Sequence, residues 1–271
     1  ATPVQTWMSD SALKELGGKT IPKTSLYRSV IAPLQNFTIK GVIWYQGENN
    51  SKSLKGSLAY AEQFKTLIKS WRYEWKQGDF PFLYFQLSGL RDLAKVKPDT
   101  NWPFLRESQT KALILPNTGM VVITDLGHIK DIHPHLKYDQ VMRLVSLALE
   151  KVYKHTQIGS GPEYKKMEVL GKQVSLTFDR IGSGLVMKEI KTPWLKVSSS
   201  SLKGFVICGE DKKFYKADAK IKHNNVVVSS SFVSKPLAVR YSWSGLPEAN
   251  LFNKNGFPAV LFLTVNLKAG T

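Results

Sequence analysis

The sequence is poor in cysteine, in arginine and in long apolar runs, and each shortage excludes something. Cys208 is the only cysteine in 271 residues, which excludes an intrachain disulfide and any zinc site built on several cysteines. No apolar run approaches the roughly 18 residues of a membrane-spanning helix, so no membrane span is expected. Only seven of the 38 basic residues are arginine, the residue that binds base edges and phosphates with paired hydrogen bonds. Nucleic acid is therefore not an expected partner, although the formal net charge is +17.

The rest of the composition is that of a folded protein with a basic surface. Hydrophobic residues make up 42% of the chain, with seven Trp, ten Tyr and thirteen Phe, whereas disordered chains are poor in aromatic residues. The excess lysine is spread along the whole sequence as single residues and pairs. This distribution indicates a solvated surface rather than one binding patch.

Up to about residue 158, apolar strands alternate with amphipathic helices. The segment 39–45 is apolar almost throughout, which is typical of a strand buried on both faces of a parallel sheet. The repeated strand–helix order predicts an α/β fold with right-handed crossovers. Strands are predicted over 39–45, 82–87 and 120–124, and helices over 26–34, 57–76, 101–115 and 137–154, the last with Val141, Val145, Ala148 and Val152 on its apolar face.

After the glycine-containing segment 158–162, the apolar period changes to two. Val174, Leu176 and Phe178 alternate with polar residues, as in a strand with one buried face. This half predicts an all-β sandwich of about 110 residues, so two domains are expected, at 1–158 and 159–271. Further short strands are predicted over 205–208, 216–221, 226–228, 237–243 and 260–265.

Two polar clusters follow predicted strands, where open α/β sheets bind their ligands. The first cluster is 46–50, and the second, 125–135, contains three of the five histidines. A histidine two residues from an aspartate suits a general base with an orienting carboxylate, and a strand-end glutamine can donate to an oxyanion. The same second cluster could instead hold zinc or iron, through His128, His133, His135, Asp125 and Asp131.

Several short motifs are similar to blocks of one known family. They include WYQGE at 44–48, LRESQ at 105–109, and DIHP at 131–134 followed by Lys137 and Arg143-Leu144. In the second half the similarity extends to 160–162, 204–205, 240–243 and 250–259. Together these motifs resemble the sialate O-acetylesterases, which belong to the SGNH hydrolases, and they cover nearly the whole chain in the correct order. The resemblance implies a flavodoxin-like parallel sheet followed by a β-sandwich.

The resemblance also implies a reaction, namely acyl transfer from an O-acetylated sugar without a cofactor or metal. In that mechanism a serine attacks the acetyl carbonyl, a histidine removes its proton, and an acid orients the histidine. By the match, His133 is the base and Asp131 its orienting acid. Asp125 stays an alternative, because many SGNH enzymes separate the acid and the base by three positions. The remaining implied site residues are Gln46 as oxyanion donor, Asn50 as the alternative donor, and Glu48 as a loop-fixing residue. Trp44 and Tyr45 are expected either to contact the substrate or to support the residues that do.

The family's nucleophile block, Gly-Gln-Ser-Asn, has no counterpart in this sequence. The chain opens on the segment that follows this block in the family, so the serine and the first strands are expected upstream. An N-terminal fragment of the same protein, completing the sheet, is then the expected partner. Ser9, Ser51, Ser160 and Ser183 lie near matching blocks or glycines, but none forms a Gly-x-Ser-x-Gly elbow.

Two expectations about function follow from the absent block. The chain alone is expected to be inactive, and the alternative function is a carbohydrate-binding or structural remnant of an esterase. The resemblance also implies a location outside the cytoplasm, in the periplasm, the lysosome or the medium.

Overall fold

The computed structural model describes residues 2–17, 26–90 and 101–264. Contacts group the described residues into two compact units that interleave along the chain. The first unit falls within Ala1–Leu87, Asp99–Val121 and Leu147–Thr156, and the second within Ser88–Pro98, Val122–Ser146 and Gln157–Thr271. The division into domains at 1–158 and 159–271 remains a prediction from the sequence.

The first unit is built on a parallel sheet of three strands in its described part. Strands β1 (Val42–Trp44), β2 (Phe82–Phe85) and β3 (Thr118–Val121) pair in the order β1-β2-β3. Every residue of β2 and β3 is buried, as expected for strands inside a parallel sheet. The predicted mixed α/β fold with parallel strands is therefore confirmed. Strand β1 is shorter than the predicted 39–45, and β3 begins two residues before the predicted 120–124.

The described part of the chain contains four α-helices, namely α1 (Asp10–Glu15), α2 (Leu54–Trp75), α3 (Trp102–Thr110) and α4 (Lys137–Lys151). Helix α2 begins where Ser53 Oγ accepts the N–H of Gly56 at 3.0 Å, a normal N-terminal cap. It ends at Lys76, whose backbone is left-handed. The apolar face predicted for α2 is buried at all six positions: Tyr60, Phe64, Leu67, Ile68, Trp71 and Trp75. The helix predicted over 26–34 is a π-helical turn, Tyr27–Ile31, followed by a 3-10 turn, Ala32–Leu34.

Two predictions of burial are wrong. Strand β1 lies at the edge of the described sheet, and its Ile43 is 65% exposed, so it is not buried on both faces. In α4, Val141 and Val145 are 50% and 41% exposed, while Leu144 and Leu147 are buried. The helix carries two apolar stripes, and its sequence pattern alone does not rank them.

The second unit consists mainly of short antiparallel strands. Its principal strands are β4 (Glu163–Leu170), β5 (Gln173–Asp179), β9 (Phe205–Cys208), β10 (Phe214–Lys216), β11 (Asp218–Lys222), β12 (Asn225–Ser229), β13 (Ala238–Tyr241) and β15 (Phe262–Leu263). They form two four-stranded sheets, β10-β9-β13-β15 and β11-β12-β5-β4. Side chains of both sheets share one core, among them Val174, Leu176, Ile207, Val226, Val228 and Val239. Two smaller pairs complete the unit: β6 (Leu185–Met187) with β14 (Leu251–Asn253), and β7 (Ile190–Lys191) with β8 (Lys196–Val197).

One strand predicted in the second unit corresponds to parts of two strands in the structure. The segment 216–221 contains the end of β10 and most of β11, and these two strands belong to different sheets. The last predicted strand, 260–265, corresponds to β15, and its final residue lies outside the described residues. Among the helices of residues 2–17, 26–90 and 101–264, none has the length and hydropathy to cross a membrane.

Candidate active site

The histidine-rich loop belongs to the second unit and lies between a 3-10 turn, Thr124–Leu126, and the start of α4. His128 fixes the first part of this loop. Its Nδ1 accepts the backbone N–H groups of Lys130 at 3.0 Å and of Asp131 at 2.9 Å. Because Nδ1 acts as an acceptor, the neutral ring carries its proton on Nε2. His128 is therefore part of the framework that holds Asp131.

Trp194, which the sequence did not single out, packs against this loop. It comes from the turn between β7 and β8. Its ring centroid lies 4.4 Å from that of His128 and 5.2 Å from that of His135, and the two imidazoles stack at 5.1 Å. No local motif links Trp194 to the histidines, so only the three-dimensional structure identifies it.

Asp131 contacts two histidines at once. Its Oδ1 accepts the backbone N–H of His133 at 2.8 Å and lies 3.1 Å from His133 Nδ1. Its Oδ2 lies 3.2 Å from His135 Nε2. Hydrogen bonds to the carboxylate lower the pKa of Asp131 to about 2. The largest contribution is that of the backbone N–H of His133, followed by that of the His135 side chain. The carboxylate is therefore ionised throughout the physiological range.

His133 is the most exposed member of this group, with 78% of its side chain accessible. Within the described part of the chain, its hydrogen bonds are those to Asp131. When Nδ1–H donates to the carboxylate, Nε2 carries a lone pair that faces solvent. Such an imidazole can accept a proton from a group that approaches from outside.

Asp125, the alternative orienting acid, is engaged elsewhere. Both of its carboxylate oxygens accept hydrogen bonds from Arg143, at 2.7 Å and 2.6 Å, and the pair is nearly buried. Burial acts to lower the pKa of Arg143, but the charge and hydrogen bonds of Asp125 outweigh it and raise the pKa. Arg143 also donates to the carbonyl of Val122. Asp125 therefore ties the segment after β3 to helix α4.

In the first unit, Gln46 and Asn50 form a closed hydrogen-bond network. The amide of Gln46 donates both of its hydrogens, to Thr2 O at 2.9 Å and to Asn50 Oδ1 at 3.0 Å. Asn50 Oδ1 also accepts the N–H of Val4, and its Nδ2 donates to Gln5 Oε1 and, at 3.3 Å, to Gln63 Oε1. Both amides are buried. In this conformation neither has a hydrogen left for an oxyanion, which argues against the donor role predicted for Gln46 and, in second place, for Asn50.

The other residues of the WYQGE motif have different environments. Trp44 is buried and packs against Trp7, Phe64 and Trp71, so in this conformation it presents almost no surface to a sugar. Tyr45 is half-buried, with its ring 5.5 Å from that of Phe85. Glu48 is also half-buried, and its carbonyl accepts the hydroxyl of Ser51.

The serines that lie near matching motifs have structural contacts. Ser9 caps helix α1 by accepting the N–H of Ala12, and the hydroxyl of Ser51 donates to its own loop. Ser160 accepts a hydrogen bond from Arg180. Each contact is of the kind that fixes a loop or a helix end.

A metal centre was the other chemistry that the histidine-rich loop suggested. Asp131 bridges two histidines, but in the part of the chain that the structure describes, no three side chains of His, Cys, Asp or Glu are grouped so that they could hold one ion.

Comparisons with known proteins point to esterases. A family described as carbohydrate esterase, sialic acid-specific acetylesterase, matches residues 2–153. The sialate O-acetylesterase of Rattus norvegicus is 35% identical over 175 residues, which are 57% of this chain and 32% of the rat protein. That of Homo sapiens is 32% identical over 209 residues, 65% of this chain and 39% of the human protein.

A solved structure is similar over almost the whole chain. The carbohydrate acetylesterase of Xanthomonas citri matches with a TM-score of 0.87 and 38% identity, covering 98% of this chain and 59% of that one. The chain thus matches 32% to 39% of the length of these curated relatives and 59% of the solved structure.

Proposed function

Because the chain belongs to the family of sialic acid-specific acetylesterases, which are carbohydrate esterases, we propose that it removes acetyl groups from the hydroxyls of a sugar. The observation that carries this proposal is the pair formed by Asp131 and His133. The carboxylate holds Nδ1 at 3.1 Å, and the opposite ring edge is exposed. This is the arrangement that a general base needs in acyl transfer.

The pair can perform both halves of an ester hydrolysis. His133 Nε2 takes the proton of a serine hydroxyl as its oxygen bonds to the acetyl carbonyl carbon, and it returns that proton to the departing sugar oxygen. A water molecule then attacks the acetyl-serine and loses one proton to His133. His133 passes this proton to the serine oxygen, the bond between that oxygen and the acetyl carbon breaks, and acetic acid leaves and ionises to acetate in solvent. Asp131, ionised because its pKa is about 2, stabilises the imidazolium that forms in each half.

We assign the orienting role to Asp131 rather than to Asp125. Asp125 gives both carboxylate oxygens to Arg143, and a carboxylate held on two sides by a guanidinium is poorly placed to accept from an imidazole as well. In the first unit, Gln46 and Asn50 serve to fix the loop after β1 to residues 2–5. For either amide to donate to an oxyanion, one of its present hydrogen bonds would first have to break.

The serine nucleophile comes, in this proposal, from a polypeptide segment outside the described residues. Two independent observations support it. In the first unit, β1 has a described partner on one side only, and Ile43 is 65% exposed. In the second unit, α4 exposes an apolar stripe formed by Tyr138, Val141, Met142 and Val145. Native proteins rarely leave strand edges and apolar stripes uncovered, so each of these surfaces is expected to be covered by residues outside the described ones. The resemblance also implies a location outside the cytoplasm.

Acetate release from an O-acetylated sialic acid tests the proposal. It is measured for the 271-residue chain and for the protein produced from its natural gene. The natural product should release acetate, and the isolated chain should not exceed the uncatalysed rate. A natural product without activity on any O-acetylated sugar would refute the esterase and favour a carbohydrate-binding remnant. If the isolated chain instead released acetate at an enzymatic rate, the esterase function would stand. Only the proposal that the serine comes from outside the described residues would be refuted.

A further inference from the structure

A groove of about 810 Å³ opens in the second unit, and none of its lining residues belongs to the loop of His133. Strands β11 and β12 contribute to it, together with the segment 201–206 that leads into β9 and the turn 242–244 that follows β13. Binding sites for small molecules have volumes of roughly 300 to 1,000 Å³. The groove therefore has the size of a site for a short oligosaccharide.

The charges that line the groove are mainly positive. Four lysines face it, Lys203, Lys216, Lys220 and Lys222, against Asp218 and Glu248, which leaves a formal excess of two positive charges (four minus two). Among the described residues, none of these lysines forms an ion pair within 4.0 Å. Uncompensated lysines in a concave surface focus a positive potential that attracts anions.

The wall of the groove depends on two unusual backbone positions. Gly204 has a φ of +94°, and a Cβ at this position would lie 2.8 Å from the Cβ of Ala249, so only glycine fits. Ser242 is buried and left-handed, with a φ of 58°, and its N–H donates to the carbonyl of Gly204 at 2.9 Å. A non-glycine residue in this conformation carries strain, which the surrounding structure must hold in place.

The turn at Ser242 brings an aromatic ring to the groove. Trp243 lines it and is half-buried, and the guanidinium of Arg240 lies 5.1 Å from its ring centroid. Gly204-Phe205 and Arg240–Trp243 are two of the motifs that resemble the esterase family, yet neither contributes to the proposed acyl transfer. The groove accounts for both motifs.

We propose that this groove binds an acidic sugar, namely a carboxylated residue of the glycan on which the enzyme acts, and this inference rests on the proposed function. The lysines bind the carboxylate, and the indole of Trp243 packs against the apolar face of the ring. Asp218 and Glu248 accept hydrogen bonds from hydroxyl groups, which a sugar supplies and a phosphate chain does not. The mixture of charges therefore favours a hydroxylated acid over a nucleic acid.

The test is a titration of the 271-residue chain with a trimer of sialic acid. Isothermal calorimetry measures Kd, and amide chemical shifts from NMR locate the binding site. Saturable binding is expected, with shifts concentrated in 201–206 and 242–244. The double variant Lys203→Glu, Lys220→Glu should raise Kd by at least about tenfold, since each change replaces an attraction with a repulsion. The matched double variant Lys151→Glu, Lys166→Glu, at two exposed sites outside the groove, should change Kd less than about twofold.

Several outcomes would overturn the proposal. They are the absence of saturable binding, equal weakening by both double variants, and shifts that avoid the groove in the unsubstituted chain. The last measurement needs no variant, so it holds even where the lysine substitutions impair folding. Equal or tighter binding of maltotriose, a neutral sugar, would refute the preference for an acidic sugar. Competition by a DNA duplex at the same residues would assign the groove to nucleic acid.

The groove and the esterase can fail separately. Binding of the trimer requires no hydrolysis and no serine, so it can be observed in a chain that releases no acetate. An active esterase that ignores the trimer would keep the proposed function and refute only the groove.

Discussion

Asp131 forms hydrogen bonds with all three histidines of the histidine-rich loop. One carboxylate oxygen takes the backbone N–H and the ring of His133, and the other takes the ring of His135. His128 holds the backbone N–H of Asp131 itself, and Trp194 packs on both His128 and His135. The three histidines thus have different contacts, and His133 is the most exposed of them, with 78% of its side chain accessible.

Substitution of the histidines separates these tasks. In the active esterase, His133→Ala should lower kcat on the order of 10⁴-fold or more, as removal of a triad histidine does, with little change in the unfolding midpoint because the ring is exposed. His135→Ala should lower kcat far less. His128→Ala should mainly lower the unfolding midpoint, because two backbone N–H groups lose their acceptor. Steady-state kinetics and circular dichroism melts measure these effects, and equal kinetic losses in all three, restored by zinc, would favour a metal site.

The ionisation of Asp131 gives a second residue-level prediction. Its pKa in the folded chain is about 2, below the ordinary 3.8, so its contribution to stability is present above pH 3.8 and is lost as the pH falls through 2. His135→Ala should raise this pKa, but not as far as 3.8, because the backbone N–H of His133 remains. A ¹³C NMR titration of the carboxyl carbon measures both values. A midpoint at or above 3.8 in the unsubstituted chain would contradict the hydrogen bonds described above.

The sequence predicted contacts between nearby residues better than contacts between residues far apart in the chain. Asp131 and His133 are two positions apart, so a local pattern could place them together, and the structure has them in contact. Gln46 and Asn50 are held by Thr2, Val4 and Gln5, more than forty positions earlier, and a motif confined to 44–48 contains no sign of those bonds. Trp194 is also far in sequence from the histidines that it contacts, His128 and His135, so no local motif could reveal it.

At the scale of elements, helix α4 joins the loop of the site to the segment after β3 through Arg143. Asp125→Ala leaves the guanidinium nearly buried without its carboxylate and should cost about 3–5 kcal/mol of unfolding free energy. Asp131→Asn should lower that free energy less than Asp125→Ala does, because the Asn side-chain oxygen can still accept the backbone N–H of His133, while kcat should fall. Denaturant titrations measure the free energies, with Glu210→Ala as the control, because its pairing with Lys235 is exposed on both sides and should contribute less than about 1 kcal/mol. A loss of activity without a loss of stability in Asp125→Ala would return Asp125 to the orienting role.

The order and type of the elements followed from the sequence, whereas the burial of their faces did not. Continuous apolar runs located all three parallel strands, and the period of two located the sandwich strands. Yet 39–45 suggested a strand covered on both faces, and Ile43 is exposed. A single sequence states how apolar a strand or helix is, but its neighbours decide which faces are covered. The exposure of Ile43 and of the α4 stripe therefore indicates which packing partners are absent from the described residues. It does not follow from the sequences of β1 and α4 themselves.

At the scale of the whole molecule, opposing forces act on association. The formal net charge of +17 keeps copies apart at low salt, because like charges repel over a Debye length of roughly 10 Å at 0.1 M. The uncovered apolar surface favours contact, and that tendency is not screened by salt. Association should therefore strengthen as salt is added up to about 0.3 M.

We expect that the 271-residue chain does not exist as a lone monomer at physiological salt. Either a second polypeptide covers the β1 edge and brings the serine, or two copies pair through that edge. The outer side of β1 has no strand partner among the described residues, and such an edge can pair with another strand. Sedimentation velocity of the purified chain, with mass spectrometry for a co-purifying peptide, distinguishes the two. Where copies pair, Ile43→Lys should restore the monomer, since an inserted charge blocks edge pairing. Ile114→Lys, at a site 81% exposed beyond the sheet strands, should leave the association unchanged. A soluble monomer without a second peptide would show that the edge needs no partner and would remove this support for the external serine.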